Sequence, residues 1–184
     1  EMTMQVVTAI PIYARSADNI RDHRHVTALL HRITTNETGI LVKPTMTFDE
    51  RGHKRNEINY GVFGGNESET PIGYYPIVED FIGEGGNLEN PRALYKNPLA
   101  PYAKGEGIDG YEALGGVVFA EKKVAAGETI SYVIAMGYGD SAEELTTAAN
   151  KFLSVKAFDK AWDETIAYWQ EKVNVSYHTG NKDF

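Results

Sequence analysis

Residues 129–145 read TISYVIAMGYGDSAEEL, and the change of rhythm inside this stretch decides the fold. Ile130, Tyr132, Ile134, Met136 and Tyr138 alternate with Thr129, Ser131, Val133 and Ala135. A period of two belongs to a β-strand with one buried face. The alternation stops at Asp140. Ser141 with Glu144 three residues on has the form of a capping box, in which the serine hydroxyl takes up an unpaired helical N–H. Asp140, Glu143 and Glu144 put negative charge at the positive end of a helix dipole. Leu145, Ala148, Ala149 and Phe152 then recur at helical spacing, and a second stripe runs through Phe158, Ala161, Trp162, Thr165, Ile166, Trp169 and Val173. The pattern predicts two amphipathic helices, or one bent near Ser154–Val155, with both tryptophans as packing anchors.

Outward from this junction, turn formers separate the chain in the same way. All 7 prolines fall at or before Pro101, and of the 18 glycines only Gly180 lies beyond Gly139. Residues 1–139 therefore read as strands and loops and 140–184 as helix. Met2, Met4, Val6, Ile10 and Ile12 read as an opening strand. Ile40, Val42, Met46 and Phe48 share one strand face against Lys43, Thr45 and Thr47, and Ile58, Tyr60 and Val62 form a shorter set. Turn signals stand at Asn36 to Gly39, at Asp49 to Gly52 and at Ala125-Ala126-Gly127-Glu128. The last is expected to join Val117–Val124 to Thr129–Tyr138 as an antiparallel hairpin. Hairpin-linked strands predict an antiparallel β-sandwich. Ser68 to Gly110, with five prolines, reads as a long loop with helical turns near Val78–Phe81 and Pro91–Tyr95.

The chain has 184 residues, 18 Lys+Arg, 26 Asp+Glu and no cysteine, for a formal net charge of -8. That length supports one good core or two small ones. The charge argues against nucleic-acid binding and against docking on anionic membrane. No apolar run is long enough to span a bilayer. The lack of cysteine excludes disulfides, thiolate metal sites and a cysteine nucleophile, and favours a reducing compartment, so a cytoplasmic protein is expected. Glu1 opens the chain in what reads as mid-strand, and a signal peptide is not recognised.

Three polar clusters could carry chemistry. In Arg15-Ser16-Ala17-Asp18-Asn19-Ile20-Arg21-Asp22-His23-Arg24-His25, the Arg, Asp and His side chains could hydrogen-bond sugar hydroxyls or a phosphate. They could equally pair among themselves on the surface. His23 and His25 could offer two metal ligands, but a third is not found at a recognisable spacing, so no metal is expected. The mixed charges of residues 49–57 read as a hairpin tip, which serves function or subunit contact equally well. In Glu79-Asp80-Phe81-Ile82-Gly83-Glu84-Gly85-Gly86-Asn87, neighbouring carboxylates could act as acid and base. Their adjacency in sequence argues that they diverge, and the glycines more simply permit a sharp turn or close backbone contact. The glycine spacing lacks the lysine and the strand–helix context of a phosphate loop. Asn36-Glu37-Thr38, Asn66-Glu67-Ser68 and Asn174-Val175-Ser176 match glycosylation triplets, which are common by chance.

From Arg15 to Phe184 the chain resembles the β-sandwich portion of the inverting disaccharide and oligosaccharide phosphorylases of glycoside hydrolase family 94. Cellobiose, cellodextrin and chitobiose phosphorylases belong to it. Four stretches carry the resemblance, in the family's order. They are Asp22-His23-Arg24-His25-Val26 leading into Leu29-Leu30, the Glu79–Asn87 loop with Pro91-Arg92-Ala93-Leu94 after it, Val124-Ala125-Ala126-Gly127-Glu128-Thr129, and the helices from Ser141 to Val173 with Thr179-Gly180-Asn181-Lys182-Asp183-Phe184 following. One departure stands out: Glu84 and Gly86 occupy positions where the family often carries arginines.

The resemblance implies a galactose-mutarotase-like supersandwich over 1–139, then a helical linker over 140–184 leading to an (α/α)6 barrel outside this chain. The general acid and the phosphate-binding residues would lie in that barrel, so no position here inherits a catalytic role. The whole enzyme would be a cytoplasmic homodimer that cleaves a β-linked oligosaccharide with inorganic phosphate as co-substrate and no other cofactor, giving a sugar 1-phosphate with inversion. For a substrate rim supplied by the sandwich, the candidates are Arg15, Asp18, His23 and His25, with Phe81, Gly83, Glu84 and Asn87 second. A stand-alone carbohydrate-binding module with an aromatic platform is the alternative. A mutarotase-like epimerase would instead need a His acid and a Glu base facing one cleft.

Overall fold

The computed structural model describes residues 1–14, 24–45, 56–95, 101–173 and 175–183. Among the described residues, ten strands and four α-helices follow one another in the order β1 Met2–Met4, β2 Ile10–Ile12, α1 Arg24–Ala28, β3 His31–Thr35, β4 Gly39–Pro44, β5 Asn59–Gly65, β6 Gly73–Ile77, α2 Val78–Ile82, β7 Gly107–Asp109, β8 Ala113–Val118, β9 Lys122–Val124, β10 Val133–Gly139, α3 Ala142–Asn150 and α4 Val155–Lys172. A 3-10 turn over Arg92–Leu94 lies between α2 and β7. Every strand pairing is antiparallel. The protein is a β-rich antiparallel fold with helices at its C-terminal end.

A five-stranded sheet, β10-β5-β4-β3-β7, packs on a three-stranded sheet, β2-β8-β6, and β1 pairs with β9 apart from both. The pleat sorts the side chains. Ile33, Ile40, Val42 and Val62 point from the larger sheet into the shared core, where they meet Ile12, Tyr74, Ile77, Ala113 and Val117 from the smaller one. The outer faces are covered too. Leu41 and Phe63 lie under Leu145, Ala149 and Leu153 of α3 and its C-terminal extension. Tyr75, Leu114 and Val118 lie under Phe81 of α2 and Ala93 of the 3-10 turn. Burial on both faces explains why Gly39–Pro44 and Gly73–Ile77 carry near-continuous apolar runs rather than strict alternation.

Several expectations change. The opening strand is two, because β1 pairs with β9 while β2 pairs with β8. Between them Thr8 exchanges hydrogen bonds with Val117 and Gly115 and carries the chain from one sheet to the other. The turn at Ala125–Glu128 forms, with Gly127 at φ 82 and Glu128 N–H donating to the Ala125 carbonyl, but it does not close a hairpin. Its two arms diverge, β9 to β1 and β10 to β5, and Phe119–Glu121 interrupts the first arm. Ser68 to Gly110 is not one loop. It contributes β6 and β7 as well as the two helical turns. Pro76 is tolerated in β6 because this is an edge strand, and the pairing register shifts there, between Tyr75 and Ile77. The Asn36–Gly39 turn does join β3 to β4, held by the Asn36 amide oxygen, which accepts from Thr38 and Gly39 N–H. Met46, Thr47, Phe48 and the tip at 49–55 lie outside the described residues.

There are two C-terminal helices. Ser141 Oγ accepts from Glu144 N–H at 3.1 Å and caps α3, as the spacing predicts. Ser154 Oγ does the same for Ala157 N–H at 3.1 Å and starts α4. The buried line of the first helix is Leu145, Ala149 and Leu153, whereas Ala148 and Phe152 are exposed. No residue of α4 is buried, so among the described residues Trp162 and Trp169 are not packing anchors. No helix among the described residues is long and apolar enough to cross a membrane.

Candidate functional site

A concavity of about 500 Å³ opens beside the loop that follows α2. Pro11 and Tyr13 come to it from β2 and its exit, Val78 and Ile82 from α2, residues 86–89 from the loop, and Glu112 from the approach to β8. The α2 turn begins without a side-chain cap and ends at Gly83, whose φ of 64 reverses the chain. Crowding as well as conformation requires glycine here. A Cβ on Gly83 would stand 2.6 Å from Arg92 Cβ, and one on Gly86 1.8 Å from the Ile82 carbonyl oxygen. The loop is folded back tightly on α2 and the 3-10 turn. Asn87 then closes an Asx turn, its side-chain oxygen accepting from Glu89 N–H at 2.9 Å and Asn90 N–H at 2.8 Å. Tyr13 and Leu88, both exposed, stand in the lining of this groove, with Glu89 and Glu112 as its carboxylates.

Behind the groove lies a recess of about 10 Å³ that shares Tyr13, Val78 and Glu112 with it and adds Thr27, Ala28 and His31. That is room for one water-sized group. His31 is only 4 % exposed, and neither of its ring nitrogens has a hydrogen-bond partner. Burial pushes its pKa below the usual imidazole value. The Tyr111 and Ala14 backbone and the Glu112 charge pull the other way, by less. Sequence reasoning passed over His31, which stands alone at the start of a strand without a neighbouring polar motif.

The sequence-derived candidates are scattered. Arg15, Asp18 and His23 lie outside the described residues, and His25 belongs by its backbone to α1, a helical turn rather than a strand. Phe81 is 1 % exposed, its ring 5.5 Å from that of Tyr75, so it is a core residue and offers no rim surface. Gly83 is occupied by its contact with Arg92, and Glu84 is exposed at the loop tip. Among the candidates whose side chains are described, Phe81, Gly83, Glu84 and Asn87, only Asn87 lines the groove. Asp80 is engaged by Tyr102, whose hydroxyl donates to it at 2.6 Å. That bond, helped by burial, pushes the Tyr102 pKa up to about 12. Asp80 therefore anchors the segment before β7. Among the described residues no group of three His, Asp or Glu side chains is placed to hold a metal. The sequon residues Asn36 and Asn66 spend their side chains on turns.

A second polar cluster ties the sheets together. Glu69 pairs with Lys122 and accepts from the Tyr132 hydroxyl at 3.1 Å, while Tyr132 stacks on buried Phe119 at 4.0 Å between centroids. Lys122 and Tyr132 hold the Glu69 carboxyl below the ordinary carboxylate range. Every member has a partner, so the arrangement is that of a structural brace. No family model matches the chain, and no curated protein matches it.

Proposed function

We propose that this chain is the β-sandwich and linker portion of an inverting glycoside phosphorylase, one that cleaves a β-linked di- or oligosaccharide with inorganic phosphate. The resemblance over Arg15 to Phe184 suggests the family. Helix α4 is the observation that carries the reading. Its 18 residues leave the sandwich with Phe158, Trp162, Ile166 and Trp169 exposed, Trp162 and Trp169 by 58 % and 57 %. An aromatic stripe of this length in water calls for a covering body, and a following helical barrel would supply one. On this reading the sandwich is a non-catalytic, galactose-mutarotase-like domain of a cytoplasmic homodimer. In the whole enzyme, phosphate attacks the anomeric carbon while a barrel carboxylic acid protonates the departing oxygen.

The test is the parent protein, this chain together with whatever sequence follows it, incubated with phosphate and β-linked disaccharides. The expected outcome is sugar 1-phosphate of inverted configuration. Phosphate left unconsumed with cellobiose, chitobiose and laminaribiose alike would overturn the reading. A stand-alone carbohydrate-binding module is the second reading, favoured by the groove beside Tyr13. It is supported if the parent protein consumes no phosphate yet binds oligosaccharide.

A further inference from the structure

Among the described residues, β10 is the one long sheet edge left bare. An unpaired edge invites another chain, and proteins blunt it with short strands, proline, charge or a covering segment. The other edges here follow that rule. β1, β2, β7 and β9 are 3 residues long, with Pro11 in β2, Asp109 in β7, and Lys122 and Lys123 in β9. β6 carries Pro76 and is covered at Tyr74, which exchanges backbone hydrogen bonds with Tyr102. By contrast, β10 runs for 7 residues at the end of the five-stranded sheet, and Thr129 to Gly139 contains neither charge nor proline.

The ladder shows which groups this edge presents. Gly64 N–H donates to the Thr38 carbonyl at 2.8 Å, so Gly64, Val62 and Tyr60 turn their backbone groups toward β4. Alternation turns those of Gly61, Phe63 and Gly65 toward β10, where they meet Gly137, Ala135 and Val133. The N–H and C=O groups of Ile134, Met136 and Tyr138 therefore point outward from the sheet. The same three residues lie on its core-facing side, opposite Gly64, Val62 and Tyr60. Ile134 reaches the core, but the smaller sheet ends short of the other two, which are 68 % and 74 % exposed. This edge thus offers backbone partners and apolar side chains together.

We propose that β10 pairs antiparallel with β10 of a second copy of this chain, about a two-fold axis through Met136. That register overlaps the whole strand and sets outward backbone groups against outward backbone groups. Ile134 stands against Tyr138 of the other copy, and Met136 against its own counterpart. An aromatic opposite a β-branched residue is a favourable cross-strand pair. On the opposite face Ala135 meets Gly137, so nothing bulky is forced under α3, where Leu145 already packs at Gly137. Charge selects the occupant. A chain of net charge -8 would draw a foreign partner through its acidic groups, and this edge has none. What fits is an uncharged apolar strand, and a two-fold axis lets this strand supply it. The contact is isologous and closes at two copies, with the two larger sheets joined into one. The inference rests on strand geometry and goes beyond the phosphorylase reading.

Sedimentation of this 184-residue chain from about 1 to about 500 μM should show monomer passing to dimer. Met136→Lys brings like charges together on the axis and should weaken association at least about tenfold. Its thermal midpoint at the lowest concentration should match the native chain's, because the side chain is exposed in the single copy. Mixing the Met136→Lys and Met136→Glu chains should restore a dimer, as positions that face each other across the axis require. Amide exchange should slow at Ile134, Met136 and Tyr138 as the dimer forms, and change little at Ala135 and Gly137, already bonded to β5. Trp162→Ala, on the exposed stripe of α4, should leave association unchanged. A chain that stays monomeric throughout, or a dimer that withstands Met136→Lys or is lost instead in Trp162→Ala, overturns the inference. Protection of the three outward amides that appears only in the parent protein, with this chain monomeric, assigns the edge to another segment and overturns it as well. None of these results bears on phosphate consumption by the parent protein, which decides the phosphorylase reading.

Discussion

His31 begins β3 beneath the short helix α1, and its register partner across the sheet is Pro44. Its side chain is the only one besides Tyr74 with a buried polar atom lacking a partner among the described residues. The two cases differ in consequence. Tyr74 keeps its proton at any ordinary pH, since burial, helped by the charge of Glu37, pushes its pKa up to about 12. His31 is neutral in the folded protein down to a pH below its ordinary 6.5, mainly because burial penalises the imidazolium. The unfolded chain takes up that proton more readily. His31 therefore favours the fold at and above pH 6.5, and its contribution declines as pH falls from there through the depressed folded value. Such a group gives a slope of at most about 1.4 kcal/mol per pH unit. Glu67 and Glu69 act with the same sign only below their ordinary 4.5, where protonation removes carboxylates that the fold holds ionised. Urea midpoints measured at pH 7.5, 6.0 and 5.0 should thus fall for the native chain. His31→Gln should flatten that decline and leave the steeper loss below pH 4.5. An unchanged slope in His31→Gln would assign the transition to another group.

Helices α3 and α4 read alike as sequence, each serine-capped and amphipathic, and the structure uses them differently. α3 lies across β5 and β10, where small residues receive it. A Cβ on Gly61 would come within 3.3 Å of Leu145 and one on Gly65 within 3.2 Å of Leu153. The first turn of α4 is tied to the body by Glu67, which accepts from Lys156 N–H at 3.3 Å, and the rest extends away. Leu145→Ala should therefore cost about 2–5 kcal/mol, a core truncation. Trp162→Ala and Trp169→Ala should each stay within about 0.5 kcal/mol despite the larger loss of side chain. Chemical denaturation of the three variants compares them directly, and a large cost at either tryptophan would mean that α4 is covered in solution. The caps and the strand alternation at Ile40, Val42 and Val62 are local and could be read from sequence. Whether a stripe meets a sheet could not, because that depends on glycines 80 residues away. The same holds for the arms of the Ala125–Glu128 turn, which part to pair with β1 and β5, strands distant in sequence. The groove was half legible. Asn87 lies in a loop whose glycines announce a sharp turn, but Tyr13, Glu112 and His31 come from three other elements and meet only in the folded chain.

At the scale of the whole molecule the packing is graded. The centre is a two-sheet core with both outer faces covered, by α3 on one side and by α2 with the 3-10 turn on the other. Strands β4 and β5 lie inside the larger sheet and are buried on both faces, so their amides exchange only when the core opens. No residue of α4 is fully buried, and an isolated helix of its length is marginal in water because nucleation is costly and tertiary packing normally sustains it. Its internal supports are modest: the Ser154 cap, a Lys160–Glu164 pair at 3.7 Å and a Phe158–Trp162 stack at 6.3 Å. Each is worth a few tenths to about 1 kcal/mol. Native-state hydrogen exchange on this chain should accordingly divide it. Amides of α4 should exchange with little protection, while those of β4 and β5 should be slower by roughly a thousandfold or more, as for a core with ordinary stability. In the parent protein the phosphorylase reading predicts that α4 becomes protected to the level of the sandwich, since its aromatic stripe would then be covered. If α4 exchanges freely there as well, the stripe faces water even there, and the reading of this helix as the seat of a barrel fails.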